Sequence, residues 1–425
     1  MTKLDTSLLS ARQLLSLDAC SRCGECIPAC PVLAATGEGQ STAFNKISLW
    51  RQALRRGVNL SSGPLRSTQG RLSPKRGGEA LPSRDGKGEV GLGSSLAAEL
   101  VAAAYDCTLC GRCQAVCPVY IRTHDLWIGQ RRQLLRAQVG PEAIAQLAER
   151  LHLSGNIAGR PAEERLSWLN NMAEPPPFVA TSDVLVFVGC LGSLYPQAFA
   201  LPQALLSLLS LAGVGVALLR EQEVCCGFPL YTSGLEEEAL SLAQRNLAAF
   251  KAAGARTVVT PCPSCYHTLS KCYPRWLGGA MDVRVLPGVE YLEELGARIQ
   301  PLLKPLPLRL TYHDPCDLGR LSGIYEIPRR LLRLIPGLEL VEMAENREQA
   351  LCCGGGGDVE MVNPHLSEAI ADKRLAQAMD TGAEAIATAC PQCKRALSAA
   401  ARRARQPLPT YDVAELLLRS AQEGT

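Results

Sequence analysis

Three features of the 425-residue sequence predict an α-helical domain followed by two tandem α/β modules, each with a parallel sheet. One four-cysteine spacing occurs twice before residue 120. Short apolar runs alternate with helical stretches after residue 180, the alternation that builds parallel sheets. The cysteines of this second part also recur at nearly constant offset. Cys190 and Cys316 lie 126 residues apart, Cys226 and Cys353 lie 127 apart, and Cys262/Cys265 and Cys390/Cys393 lie 128 apart. Residues 181–300 and 305–425 are thus expected to be two copies of one unit, facing each other across a pseudo-twofold axis.

The helical domain is assigned to residues 1–172. After a first cysteine block, STAFNKISLWRQALRR carries the spacing of an amphipathic helix. Residues 60–95 are rich in Gly, Ser, Pro and Arg without periodicity and read as a flexible insertion. LAAELVAAAYD predicts a helix that leads into the second cysteine block, and RRQLLRAQVGPEAIAQLAERL continues helical. AEPPPFVA, 173–180, is a proline-rich joint. Beyond it DVLVFVGC, VGVALL and RTVVTPC are strand candidates, and LRLTYHDPC, LELVEM and EAIATAC repeat them. LEEEALSLAQRNLAAFKAAG and NPHLSEAIADKRLAQAMDTG are the matching helices.

Composition narrows the function class. Apolar residues make up 47% of the chain, enough for buried cores. Basic and acidic residues number 44 and 41, so no basic footprint points to nucleic acid. The opening MTKLDTSLLSARQLL lacks the apolar run of a signal peptide. A reducing, cytoplasmic setting is expected, in which 19 cysteines serve metal or redox chemistry rather than disulfides. The stretch from Val184 to Leu219 carries no charge, but six glycines and prolines break it, so it reads as buried strand and helix rather than a membrane span.

Cys20, Cys23, Cys26 and Cys30 form C-x2-C-x2-C-x3-C followed by Pro31, and Cys107, Cys110, Cys113 and Cys117 repeat it before Pro118. Three thiolates of such a run converge on one [4Fe–4S] cubane, and the fourth ligates the other cluster. One cubane is assigned to Cys20, Cys23, Cys26 and Cys117, the other to Cys107, Cys110, Cys113 and Cys30. Zinc needs only four ligands in a tetrahedron and has no use for the doubled spacing. With helical flanks, the domain is expected to be an α-helical ferredoxin.

Each later unit supplies five cysteines as C, CCG and CxxC. The first set is Cys190, Cys225, Cys226, Cys262 and Cys265, and the second is Cys316, Cys352, Cys353, Cys390 and Cys393. Most follow a predicted strand, where loops at the carboxyl edge of a parallel sheet build sites. Four thiolates satisfy a zinc ion or a cubane. A cluster of altered shape, with one thiolate bridging two irons, uses all five. The glycines after each pair, above all Gly354 to Gly357, are expected to let backbone approach a bulky group. Cys272 remains as a buried free thiol, and His267, His313 and Asp314 stand beside ligand positions as proton carriers or as hydrogen-bond supports of the loops. There is no C-x-x-C-H haem motif and no strand-linked G-x-G-x-x-G.

These modules resemble the CCG, or cysteine-rich, domains of heterodisulfide reductase, through YHDPCDLGR, LCCGGGGD and TGAEAIATACPQCKR. With its N-terminal part the chain resembles the D-type subunit of heterodisulfide reductase and its bacterial relatives, and it shares its architecture with the iron–sulfur subunit of glycolate oxidase. Asp317 follows Cys316 where many relatives carry His. The resemblance implies one or two non-cubane [4Fe–4S] clusters in the modules, or zinc in one of them, with Cys225, Cys226, Cys352 and Cys353 as the catalytic cysteines. It implies an oxidoreductase subunit that passes electrons through the two cubanes to the module clusters for disulfide–thiol chemistry. The partner is then a membrane cytochrome b or multihaem complex, with this chain peripheral on the inner face of the membrane. The alternative is an electron-transfer subunit of a flavin-dependent glycolate, lactate or glycerol-3-phosphate dehydrogenase, with a flavoprotein as partner.

Overall fold

The computed structural model describes residues 6–56 and 92–422. Before residue 172 every described element is a helix. Ala11–Ala19 starts at a capping box, in which Ser10 Oγ accepts from the Gln13 amide and the Gln13 side chain accepts from the Ser10 amide. The same Gln13 donates to the Asp125 carbonyl at 2.7 Å and so docks this helix on Thr123–Arg136. Ala43–Arg56, Leu92–Tyr105 and Thr123–Arg136 close a core around Trp50, Leu100, Tyr105, Leu126 and Trp127. The long helical run expected after residue 130 is two helices, Thr123–Arg136 and Glu142–Ser154, because Gly140-Pro141 interrupts it. Of the expected insertion 60–95, residues 92–95 are already helix and the rest lie outside the described residues.

The second part holds two four-stranded sheets. β1 (Val184–Val186), β2 (Ala217–Leu218), β3 (Thr257–Thr260) and β4 (Arg284–Pro287) pair in parallel in the order β2-β1-β3-β4. β5 (Leu308–Tyr312), β6 (Leu338–Val341), β7 (Ala385–Thr388) and β8 (Thr410–Asp412) repeat this as β6-β5-β7-β8. Leu185, Val186, Val258, Val259, Ala385 and Ile386 are buried, as strands covered on both faces require. The edge strands β4 and β8 have no counterpart among the strands expected from sequence. Each is short, and Arg284, Pro287 and Asp412 dilute the apolar signal. The uncharged stretch 184–219 folds as β1, the helices Gly189–Leu194 and Ala200–Leu211, and β2. No described helix is long and apolar enough to cross a membrane.

The two modules share one core. Leu205, Leu208 and Leu209 of Ala200–Leu211 pack with Leu416 and Leu417 of Val413–Gln422, and Val186, Val259, Leu310 and Leu331 join them. The helical domain seals against both modules. Pro31–Thr36 packs on Pro364–Met379 through Val32, Leu366 and Ile370.

Arg131, fully buried, joins all three parts. Its guanidinium donates to the carbonyls of Ala104 and Cys107, to the carbonyl of Thr232 in the first module, and to the carboxylate of Asp358 in the second. Thr232 and Ser233 hydroxyls complete the Asp358 shell at 3.1 and 3.0 Å. Removing one partner of such a buried pair leaves an uncompensated charge, which costs about 3–5 kcal/mol. Arg131→Met is therefore expected to lower the unfolding free energy by about that amount, and Arg131→Met/Asp358→Asn to recover much of it. Chemical denaturation of the three proteins checks this; equal stability of the single variant and wild type would contradict it.

Candidate functional site

In both sheets the cysteines emerge at the carboxyl ends of the three adjacent strands. Cys190 follows β1, Cys225 and Cys226 follow β2, and Cys262 and Cys265 follow β3. Cys316, Cys352/Cys353 and Cys390/Cys393 follow β5, β6 and β7 in the same way. Strand order alone thus carries groups 75 residues apart in sequence to one edge.

The five thiols of the first module form one contact chain, Cys190–Cys225–Cys226–Cys265–Cys262. The second module repeats it as Cys316–Cys352–Cys353–Cys393–Cys390. The second cysteine of each pair is the middle link. Cys226 is held down to about 6 by contacts from Cys225 and Cys265, and Cys353 to about 5 by contacts from Cys352 and Cys393. Cys265 and Cys393, on the donating side of these contacts and buried, are pushed up.

The two modules open on one cavity of about 520 Å³, lined by all five first-module cysteines and by Cys316, Cys353, Cys390 and Cys393. Ser264, inside the first CxxC, donates to the Asp317 carboxylate of the second module and ties the two ligand loops together. His313 Nδ1 accepts from Arg374 Nε at 3.0 Å, so its other nitrogen carries the proton. That nitrogen has no partner among the described residues, and the ring lies with the Cys353 and Cys393 sulfurs in a group whose donor atoms are within 4.8 Å of one another. Burial and the neighbouring Arg374 charge keep His313 neutral.

The first module has a different support. The Glu223 carboxylate accepts from the amides of Val188 and Gly189 and from Arg165, whose guanidinium also reaches Cys190 Sγ at 3.4 Å. The glycines serve unequally. A Cβ on Gly189 would lie 3.0 Å from Cys265 Sγ, so this glycine does make room for sulfur. The run after Cys353 instead lets protein pack on protein. A Cβ on Gly357 would meet the Cys107 carbonyl at 2.4 Å, and one on Gly356 the Thr108 carbonyl at 2.7 Å. Gly355, Gly356 and Gly357 of the same run also line the cavity between the modules.

In the helical domain Cys30 sits with Cys107 and Cys110 rather than with its own run, and Cys113 sits with the same two. Cys20, Cys23 and Cys26 group together, and Cys117 packs on an apolar core that Cys20, Cys26, Cys107 and Cys113 also touch. Cys23 is exposed, whereas Cys30 and Cys110 are buried. Cys110 also touches Cys352, so the inner group of the helical domain abuts the second module directly. Lys46, buried and without a hydrogen-bond acceptor among the described residues, has Cys30, Cys113 and Asp106 within its field and stacks over Trp127. Cys272 is a buried thiol in the apolar core. His267 packs near His124 at 6.4 Å between ring centres, and burial lowers it to about 4.

Soft thiol donors in sets of four and five suit iron–sulfur groups. No motif announces that Thr108, Leu109 and His124 of the helical domain line the cavity between the modules, nor the Arg165–Glu223 and Ser264–Asp317 contacts. These depend on tertiary placement, and no local spacing encodes them.

Comparison with known proteins agrees with this organisation. Residues 184–270 and 310–398 match the cysteine-rich domain family, and residues 16–121 match the 4Fe-4S dicluster domain family. The chain is 33% identical to the D-type subunit of the dihydromethanophenazine:CoB–CoM heterodisulfide reductase of Methanosarcina barkeri, over 97% of this chain and 96% of that protein. It is 30% identical to a probable iron-sulfur-binding oxidoreductase of Bacillus subtilis, over 96% of this chain and 60% of that one. It is 28% identical to an EtfAB:quinone oxidoreductase of Syntrophomonas wolfei, over 97% and 59%.

Replacing Arg165 by Met strands the Glu223 carboxylate beside the Cys190 loop. The loss expected is about 3 kcal/mol of stability, together with looser metal retention in the first module. Denaturation and metal analysis of Arg165→Met against wild type check both, and an unchanged Cys190 site would contradict the supporting role of this pair.

Proposed function

This chain belongs to the family of D-type heterodisulfide reductase subunits, and we propose that it reduces or forms a disulfide in the cavity between its two cysteine-rich modules. The observation that carries the reading is the convergence of nine of the ten module thiols on one cavity, with the tenth, Cys352, in contact with the inner cysteine group of the helical domain. Cys20, Cys23, Cys26 and Cys117 would hold an outer [4Fe–4S] cluster, and Cys107, Cys110, Cys113 and Cys30 an inner one. Cys190, Cys225, Cys226, Cys262 and Cys265 would hold one module cluster, and Cys316, Cys352, Cys353, Cys390 and Cys393 the other. When bound, these groups supply electrons one at a time.

The protein then has a directional layout. Electrons enter near the exposed Cys23, where Leu15 and Tyr120, 70% and 85% exposed, offer apolar surface close in sequence to the ligands for a redox partner. The Cys110–Cys352 contact would set the ligands of the inner cluster directly against those of the second module. Disulfide reduction consumes two electrons and two protons, breaks one S–S bond and yields two thiols. Cys226 and Cys353, the middle links, would each be held between two neighbouring thiols of a five-ligand group. Asp317–Ser264 holds the two loops at fixed separation, and His313 Nε2–H offers a hydrogen bond to sulfur beside Cys353. The partner is a membrane cytochrome b or multihaem subunit, with this chain peripheral on the cytoplasmic face.

A second reading has specific support. The B. subtilis and S. wolfei relatives match nearly all of this chain but are longer. In a complex of that kind the module clusters relay electrons to or from a flavoprotein or quinone, and no disulfide enters.

Anaerobically prepared protein is expected to contain about sixteen irons per chain, four [4Fe–4S] groups. A value near eight with two zincs would overturn the module assignment. Cys226→Ser and Cys353→Ser are expected to keep most of the iron, change the EPR signal and abolish disulfide reduction, since four thiolates can still ligate a cluster. No disulfide reduction by wild type, with electron transfer to the partner subunit undiminished in both variants and in Cys225→Ser and Cys352→Ser, would favour the relay reading.

A further inference from the structure

Helix Ala43–Arg56 carries a cation toward each cysteine group of the helical domain. Arg51 serves the outer group. Its guanidinium donates to the carbonyls of Leu17, Asp18 and Cys20 at 2.8, 2.9 and 3.4 Å, and its side chain is partly exposed. Lys46 stands at the inner group and differs in both respects. It is 2% exposed, and among the described residues its ammonium has neither a hydrogen-bond acceptor nor a paired carboxylate. Its charge acts on the Cys30 and Cys113 sulfurs and on Asp106, and it lies 4.5 Å from the centre of the Trp127 ring. The Asp106 carboxylate is engaged elsewhere, accepting from Asn363 Nδ2 at 3.0 Å.

The helix dictates this placement. The Lys46 amide closes the first turn on the Thr42 carbonyl at 2.9 Å. Trp50 and Ala53, one and two turns further on, are buried in the core of the helical domain, and Lys46 lies on their face. A lysine beside apolar surface ordinarily turns its ammonium out to water, and here the ammonium stays inside. Burying an ion without a paired charge is unfavourable, and attraction to an aromatic face offsets only part of that. An iron–sulfur group on four thiolates is an anion in either oxidation state, since the thiolates outnumber the positive charge of its core. Net charge is one of the quantities that set its reduction potential. Held by Cys30, Cys107, Cys110 and Cys113, such a group is the counter-charge that this ammonium requires.

We propose that Lys46 is a redox-tuning residue, whose buried ammonium raises the reduction potential of the iron–sulfur group on Cys30, Cys107, Cys110 and Cys113. The inference rests on the ligand assignment above and adds the residue that sets the direction of flow between the two groups of the helical domain. An electron entering near the exposed Cys23 then settles on the inner group, the one that abuts the second module. Lys46 acts through its charge alone and binds neither iron nor substrate. Solvent weakens the field of Arg51, whereas Lys46 acts through a dry core.

The test is a potentiometric titration of the iron-loaded full chain with dithionite and redox mediators, read by EPR. Cys23→Ala alters the outer signal and so assigns the inner one. Lys46→Met, Lys46→Gln and Lys46→Arg are compared with wild type. Both neutral variants are expected to make the inner group about tenfold harder to reduce, about 59 mV for one electron, with the outer potential little changed. Lys46→Arg is expected to keep most of the wild-type value. The difference is expected to persist at high salt, as a buried charge requires. Iron content is measured for each variant. If both neutral variants lose the inner iron and Lys46→Arg retains it, the requirement for charge stands. If all three lose it, Lys46 acts by packing and the proposal falls. Equal inner potentials in wild type and the neutral variants, or an equal shift in Lys46→Arg, would overturn the tuning role and leave the ligand assignment intact. A wild-type chain with only one cluster signal from the helical domain would overturn the assignment, and the proposal with it.

Discussion

Five thiols on three separate loops must reach a common point, and they must do so twice. A parallel sheet meets this requirement because every strand ends at the same edge. In the order β2-β1-β3-β4 the three cysteine-bearing loops leave adjacent strands, and the fourth strand carries none. The second sheet repeats the arrangement, and the core shared by Ala200–Leu211 and Val413–Gln422 holds the two modules so that their ligand edges open on one cavity.

The helical domain closes that cavity as well as carrying eight cysteines of its own. Thr108, Leu109 and His124 line it, and the backbone of Cys107 and Thr108 is approached so closely by Gly356 and Gly357 that no side chain fits between them. Arg131 is the electrostatic joint of this assembly, since its one guanidinium satisfies backbone carbonyls on two parts and a carboxylate on the third. A buried charge with partners on three units specifies how they dock more than it stabilises any one of them. That rigidity matters because the Cys110–Cys352 contact joins the helical domain to the second module, and displacement there would break the chain of thiols.

Much of this was legible in the sequence, for physical reasons. The C-x2-C-x2-C-x3-C runs encode local loop geometry, and the constant offsets between Cys190/Cys316 and Cys262/Cys390 encode repetition, so both survive without tertiary knowledge. The apolar strands at 184–186 and 385–388 were visible because both faces are buried. The edge strands β4 and β8 were hidden because both are short and Arg284, Pro287 and Asp412 blur the apolar pattern. The glycines after Cys353 showed that something passes close, but whether that something was a cofactor or another backbone depends on docking. The contacts of Arg165, Asp317 and Arg131 lie between residues far apart in sequence, and no spacing rule reaches them.

If each module gathers its five cysteines around an iron–sulfur group on the common cavity, the metals themselves must lie there. An anaerobic crystal structure with anomalous data at the iron and zinc edges locates them. Iron is expected at four places, two in the helical domain and two on facing walls of the cavity, each of the latter against one five-cysteine set. Zinc at either cavity wall, or iron confined to the helical domain, would contradict this arrangement.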